Sequence, residues 1–378
     1  MGVDTHAAQV KVFCRIKPNF DGGDECITCL DETSLSIQNT RSNIHSFCRV
    51  FTSSDSQSEV FGACLLPYVT SVLNGESVLF FDYGVTGSGK TYTMQGTMSD
   101  PGFIPRALDT IFNSIASNST LKYVGLTSEA IMDRQRFDYS SRLRTPLKPD
   151  YPPSCLDGRL VDPTTVPIPR NHLYSVFITY IELYNDVIYD LLEVPTEDAN
   201  RSVYVHGVTE LEVKSANEAL RAYHQGQKRR RVGATAMNKE SSRSHGIFTI
   251  RILDPRELTA VGPPVDDLRK QVSLLWLILF CGRSAKVLFV SLLLATINKS
   301  LLTLRKCVEV LRMNQSARVC QNPTVQQQIV PYRDCKLTRL FKSFFEGCGQ
   351  VAILVCVHPT LGEYSETVVS VAFLFPIF

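Results

Sequence analysis

The sequence predicts an α/β fold with a central, mostly parallel sheet flanked by helices. Three observations predict it. Short continuous apolar runs, Val78–Phe81 and Val351–Val357 among them, have the pattern of strands buried on both faces. Helical segments separate the strand runs, as parallel crossovers require. A glycine-rich stretch, Gly84 to Gly89, joins one of these runs to a helix start.

Taken in order, residues 10–16 (Val-Lys-Val-Phe-Cys-Arg-Ile) alternate well enough to form a strand, and Pro18 ends it. Ser77 to Phe81 is a second strand, and Thr91 opens a helix beyond the glycines. Ser175 to Leu183 reads as another strand, followed after Asn185 by a helical turn over Asp186 to Leu192. Val351 to Val357 is a late strand. Seven prolines fall in the 24 residues from Pro146 to Pro169, without an apolar period. This predicts a loop or disordered insertion, because a segment that buries no apolar area cannot offset its ordering entropy. The stretch from Val272 to Ile297 is the most apolar, and a spanning helix needs roughly 20 mostly apolar residues. Arg283 and Lys286 split it into two runs that are each too short, so a buried core segment is expected. No internal repeat and no heptad run is present, so dimerisation is expected only through regions outside this chain.

Of the 378 residues, 44% are apolar and 20% charged, which excludes a disordered or collagen-like chain. The 39 Lys and Arg nearly balance the 37 Asp and Glu, leaving +2. Such a balance argues against nucleic acid as a partner while allowing a local basic face. Of twelve cysteines only Cys26 and Cys29 form a CxxC, and no second pair stands at zinc-ligand spacing; free thiols in a reducing compartment are expected. The first residues lack an apolar signal region, so a cytoplasmic protein without a membrane partner is expected.

Gly84-Val85-Thr86-Gly87-Ser88-Gly89-Lys90-Thr91 matches G-x-x-x-x-G-K-[ST]. Glycines let such a loop turn successive backbone N–H groups towards phosphate oxygens. Lys90 would reach the β- and γ-phosphates, and the Thr91 hydroxyl would ligate Mg2+. A nucleoside triphosphate is the ligand this chemistry predicts. The motif alone suits a nucleotide kinase, a GTPase or a motor.

Residues around and beyond the loop resemble the kinesin motor domain. Gly87 to Gly96 carries the Thr-x-Thr-Met-x-Gly tail of the kinesin P-loop. Asn238-Lys239-Glu240-Ser241-Ser242-Arg243-Ser244-His245 is similar to switch I. Ile297 to Leu301 and Val330 to Thr338 are similar to helix α4 of that family and the loop before its α5. Arg15-Ile16-Lys17-Pro18 stands where kinesins carry R-x-R-P. Gly226 to Val232, with Tyr83 to Gly89 and the long insertion, most resembles the mitotic kinesin-like branch, the motor of centralspindlin.

The resemblance implies the P-loop NTPase fold of kinesin motors over residues 1–378, with the insertion at about 123–172 and a segment lacking the family pattern at 268–296. It implies ATP and Mg2+ as cofactors, microtubules (tubulin) as partner, and a cytoskeletal location at spindle or midbody. Arg15, Lys17, Pro18 and Tyr92 would frame the adenine. Thr91 and Ser242 would share the Mg2+ shell, Asn238 and Ser241 would position the attacking water, and Arg243 would belong to the γ-phosphate switch. The run Lys228–Arg231 reads as a solvated helix face. Lys299, Arg305, Lys306, Arg312, Arg333, Lys336, Arg339 and Lys342 cluster in the region matching the track-binding face, with Arg333 and Lys336 the expected contacts.

The chain departs from the family in three places, one of them Phe373 to Phe378, which replace the polar family sequence leading to the neck linker. Asp82 stands where kinesins usually have Thr or Ala. Trp276 stands where the switch II aspartate belongs, and no Asp or Glu occurs from Leu268 to Val308. Without that motif Arg243 lacks its ion partner and the hydrolytic water its support. A decayed motor and a reading-frame error both produce this pattern, since family-like sequence resumes at Ile297. The expectation is therefore an ATP-dependent microtubule motor domain with hydrolysis impaired. Two alternatives are a non-hydrolysing nucleotide-binding, microtubule-binding module and an unrelated nucleotide kinase.

Overall fold

β1 (Val10–Ile16) alternates between two cores: Val12 and Cys14 pack into one and Phe13 into the other. It belongs to a sheet in the order β5 (Arg49–Phe51), β1, β13 (Gln350–Val357), β6 (Val78–Tyr83), β12 (Val272–Leu279), β11 (His245–Leu253), β8 (Ser175–Tyr184), β10 (Thr209–Val213), β7 (Arg142–Arg144), with β9 (Val187–Asp190) paired to β8. From β5 to β12 every pairing is parallel. Beyond β12 the pairings with β11, β8, β10 and β9 are antiparallel, and β7 runs parallel to β10. The expected parallel sheet is thus the half that carries the glycine loop. β2 (Ile27–Cys29), β3 (Ser34–Ile37) and β4 (Ile44–Ser46) form a small antiparallel sheet.

The computed structural model describes residues 10–20, 22–37, 44–85, 87–116, 142–144, 156–169, 174–184, 187–192, 208–230, 244–253, 272–279, 300, 302–311, 313–314, 328–345, 349–364, 367–368 and 371.

β6 is buried at all six positions, as its unbroken apolar run demands. Its alternate residues feed both cores, Val78 and Phe80 on one side and Leu79, Phe81 and Tyr83 on the other. The first core is closed by α1 (Gln57–Cys64), α2 (Leu66–Leu73), α4 (Phe103–Ile115) and α5 (Ala216–Arg229). The short α3 (Lys90–Met94) follows the glycine loop. The second core is closed by α6 (302–311) and α7 (Lys336–Leu340). α1 starts with a reciprocal capping box, Glu59 N–H to Ser56 Oγ at 3.3 Å and Ser56 N–H to Glu59 Oε2 at 2.8 Å. At α5, Ser215 Oγ accepts from Glu218 N–H at 3.2 Å.

Two sequence expectations change, and a third gains detail. The helical turn over Asp186 to Leu192 is instead β9, with Tyr184 opposite Val187, so only two residues connect the strands. Period-2 hairpin pairing along β8 overrides the local helical pattern. The proline-rich stretch is a loop over 156–169, as expected, but it is not without core contacts: Leu156 is buried, Val166 and Ile168 pack on the first core, and Asp162 is buried against α4. Polar anchoring holds it there. Arg159 bonds Asp109 through both terminal guanidinium nitrogens, at 2.8 and 2.6 Å, and Asp162 pairs with Arg106. The apolar stretch beginning at Val272 enters the sheet as β12; residues 280–299 lie outside the described residues. Among the described residues no helix is long and apolar enough to cross a membrane.

Candidate nucleotide-binding site

Three strand ends converge at one edge of the sheet. β6 runs into the glycine loop, β1 into Lys17 and Pro18, and β13 into His358. Ligands of open α/β sheets bind at such carboxyl ends. Lys17 N–H bonds Val357 O at 3.0 Å, and Lys17 Nζ lies 3.3 Å from His358 Nε2, which ties β1 to β13 at the rim.

The loop needs glycine for steric reasons. At Gly84 a Cβ would stand 2.3 Å from Cys356 O and 2.6 Å from Ser88 Oγ, so the chain can pass only without a side chain. Gly89 has φ +99°, a left-handed conformation that only glycine adopts freely, and it aims the backbone into α3. Lys90 is buried and donates to Gly84 O at 2.7 Å and Val85 O at 2.5 Å, folding the loop around its own ammonium. Ser88 Oγ is buried and has no hydrogen-bond partner among the described residues. A curled loop with a buried cation and an unpartnered hydroxyl fits a phosphate group.

Beside the loop a cleft is lined by Arg15, Lys17, Pro18, Gln57, Ser88, Gly89 and Tyr92. The Arg15 guanidinium lies 5.4 Å from the Tyr92 ring centroid, a cation–π contact. It donates to Gln57 Oε1 at 2.6 Å and Thr93 Oγ1 at 2.9 Å. Gln57 in turn donates to Tyr92 O at 2.6 Å, and Tyr92 Oη donates to Asp100 Oδ2 at 2.6 Å. Partial burial foremost, with the Asp100 carboxylate assisting, raises the Tyr92 phenol above its ordinary pKa. Tyr92 remains 44% exposed at the rim of the cleft.

Asp82 is the unexpected member. It is fully buried two residues before Gly84, with Cys356 Sγ 3.3 Å from its Oδ1. Burial pushes its pKa up to about 7, against the opposing pull of Lys90, the Cys356 contact and Arg15.

The structure gathers Arg15, Lys17, Pro18, Gly84, Val85, Gly87, Ser88, Gly89, Lys90, Thr91 and Tyr92 at this edge. Thr86, Asn238, Ser241, Ser242 and Arg243 lie outside the described residues. The residues that follow switch I are nevertheless informative. Gly246 pairs with Leu279 and Leu279 with Asp82, so β11 begins level with the end of β6, two strands away. At about 4.8 Å per strand this spacing is about 10 Å. Trp276 pairs with Leu79, three residues short of Asp82, so the position expected for an aspartate falls within the sheet and not at its edge.

The basic run is not a solvated face throughout. Arg230 is buried; it donates to Ser244 O at 2.6 Å and Ser244 Oγ at 3.3 Å, and lies 4.0 Å from Glu182. A buried guanidinium needs such partners, and they come from the residue just before β11 and from β8. Next to them His245 is held near pKa 3, chiefly by burial and secondarily by Arg230. Sequence reasoning also missed Gln57, Thr93 and Asp100. The Ser56-x-x-Glu59 signature marks a helix start, but nothing local aims that helix at the cleft.

Arg333 and Lys336 lie away from this cleft's lining, on the segment that leads into α7; Arg333 is exposed, with its guanidinium 5.7 Å from the Tyr332 ring centroid. Lys306, Arg339 and Lys342 are exposed as well, while Lys299 and Arg312 lie outside the described residues.

A family model described as "Kinesin motor domain" matches residues 25–375. The chain belongs to the kinesin motor family. This kinesin chain is 36% identical to "Kinesin-like protein KIF23" of Mus musculus, over 95% of its own length and 42% of that protein. It is 31% identical to "Kinesin-like protein KIF20A" of Bos taurus, over 95% of itself and 48% of that protein. It therefore spans less than half the length of these relatives. Among solved structures, "kinesin 6" matches with a TM-score of 0.72 and 33% identity, covering 97% of this chain and 98% of that one. A structure described as "Structure of a fast kinesin: Implications for ATPase mechanism and interactions with microtubules" matches with a TM-score of 0.65 and 26% identity, over 98% and 91%. The kinesin motor fold and the likeness to the KIF23 branch, expected from the motifs, are both borne out.

Proposed function

We propose that residues 1–378 form one ATP-dependent microtubule motor domain that binds nucleotide but hydrolyses it poorly. The observation that carries this reading is the cradle around Lys90, closed at Gly84, where a Cβ cannot fit, and set beside the Arg15–Tyr92 cleft. In this reading Gly84 to Lys90 hold the phosphates, Thr91 and Ser242 hold Mg2+, and Arg15, Lys17, Pro18 and Tyr92 frame the base. When bound, Mg2+ supplies charge neutralisation at the phosphates. Asn238, Ser241 and Arg243 complete the γ-phosphate side. Impaired hydrolysis follows from the lack of any carboxylate between Leu268 and Val308 to support the attacking water.

Arg333 and Lys336 belong to the microtubule-binding face in this reading, beside Lys306, Arg339 and Lys342. A locally basic surface suits an acidic polymer even at a net charge of +2. The likeness to KIF23 supports a cytoskeletal location, at spindle or midbody. Titration with a fluorescent ATP analogue and Mg2+, followed by ATP turnover with and without microtubules, tests the reading. The expected outcome is saturable binding with turnover barely raised by microtubules. Absence of binding overturns the reading, and turnover stimulated as in an intact motor overturns its hydrolytic part. A non-hydrolysing track-binding module is the second reading, supported by the same missing carboxylates; microtubule co-pelleting independent of nucleotide distinguishes it.

A further inference from the structure

Asp82 does not line the cleft. It is a carboxyl group buried in β6, directly before the phosphate loop, on the sheet face that carries α3. One oxygen contacts the Cys356 thiol and the other, Oδ2, has no hydrogen-bond partner among the described residues. The charged and titratable groups facing it are Lys90 from the start of α3, Arg15 from β1, Cys356 from β13 and Cys64 from α1. The adjoining β12 brings Leu279 to the same level. Neither cation forms an ion pair with Asp82. Lys90 gives its hydrogen bonds to Gly84 O and Val85 O, and Arg15 to Gln57 and Thr93.

We propose that Asp82 is an internal anion set against the bound nucleotide, so that nucleotide binds with uptake of a proton at Asp82 and more weakly as pH rises. The inference rests on the nucleotide reading above. A nucleotide brings several negative charges to the far side of Lys90. If Asp82 is ionised, those charges repel it across a water-poor interior where screening is weak. Protonating Asp82 removes the repulsion at the cost of one proton from solvent. The two forms lie close in energy near neutrality, because burial already lifts the carboxyl to about 7. Bound phosphate lifts it further, and linkage requires that affinity fall once pH exceeds the value of the free protein.

The test is MgADP affinity of the full chain at pH 6, 7 and 8, for the wild type, Asp82→Asn and Asp82→Ala. The wild type should bind about tenfold more weakly at pH 8 than at pH 6, the effect of one group displaced by about two pH units. Both variants should show a smaller pH dependence and bind about tenfold more tightly than wild type at pH 8. Variants that follow the wild-type profile overturn the inference. Calorimetry of the wild type at pH 8, in buffers of different ionisation enthalpy, gives a readout that needs no variant. Phosphate groups with a second pKa of about 6 are ionised there, so proton uptake comes from the protein. Uptake approaching one proton supports the inference and none overturns it. A wild type that binds no MgADP at any pH instead overturns the nucleotide reading itself, and this inference with it.

Discussion

Arg15 and Thr93 are joined by a 2.9 Å hydrogen bond although 78 residues separate them. The bond links the end of β1 to α3, and through Thr93 Oγ1, which donates to Gly89 O at 3.1 Å, to the phosphate loop itself. The base side and the phosphate side of the cleft are therefore one hydrogen-bonded unit.

Arg15→Ala should weaken nucleotide binding by about tenfold or more, since hydrogen bonds from a charged donor contribute about 1.5–3 kcal/mol each. Arg15→Lys should recover only part, because an ammonium cannot hold two acceptors and lie over the Tyr92 ring as a planar guanidinium does. Titration with a fluorescent nucleotide checks both; equal affinity in wild type and Arg15→Ala would show that the cleft is not the base site.

Lys90→Ala should lower MgATP affinity by about a hundredfold, the equivalent of about 3 kcal/mol for a lost charge-assisted contact. Circular dichroism should report an unchanged fold. Undiminished binding would exclude the loop as the phosphate site.

Asp109→Ala removes the buried partner of Arg159, whose side chain is only 7% exposed. An uncompensated buried guanidinium should cost about 3–5 kcal/mol. Urea unfolding measures this loss. A change below about 1 kcal/mol would mean that the proline-rich strap is not anchored through this pair.

Asp82 should also make stability depend on pH. Its folded pKa of about 7 lies above the unfolded value of ~3.9, so between those values the native state holds more protons than the unfolded one. Stability contributed by this group is present below about pH 4 and is lost as pH rises through 7. Asp82→Asn should therefore narrow the difference in unfolding free energy between pH 5 and pH 8 by about 2–3 kcal/mol. Denaturant midpoints at the two pH values decide it.

Arg333→Glu with Lys336→Glu should weaken co-pelleting with microtubules severalfold, most clearly at low salt, where surface charges are least screened. Nucleotide affinity should stay at the wild-type value. Pelleting unaffected by both substitutions would move the track-binding face elsewhere.

Much of the site was legible in the chain because its chemistry is local. Gly84 to Thr91 are contiguous, and the spacing of glycines, lysine and threonine states the phosphate cradle before any folding is considered. The β6 strand was legible for a similar reason, since a run buried on both faces cannot contain polar alternation. Gln57, Thr93 and Asp100 were not legible. Their roles arise where β1, α1 and α3 meet, and no short-range pattern reports that meeting. Arg230 misled in the opposite direction: a basic run signals a solvated face unless a distant carboxylate and carbonyl, here Glu182 and Ser244, are folded against it.

The family, the phosphate loop and the absence of carboxylates from Leu268 to Val308 were determined by the sequence alone, because each is a property of residues adjacent in the chain. Only the tertiary structure decided that β9 is a strand, that Trp276 stands within the sheet, and that Asp82 is buried beneath the cradle. Each of these depends on which strand lies alongside which, and such pairing is set by contacts between residues far apart in sequence.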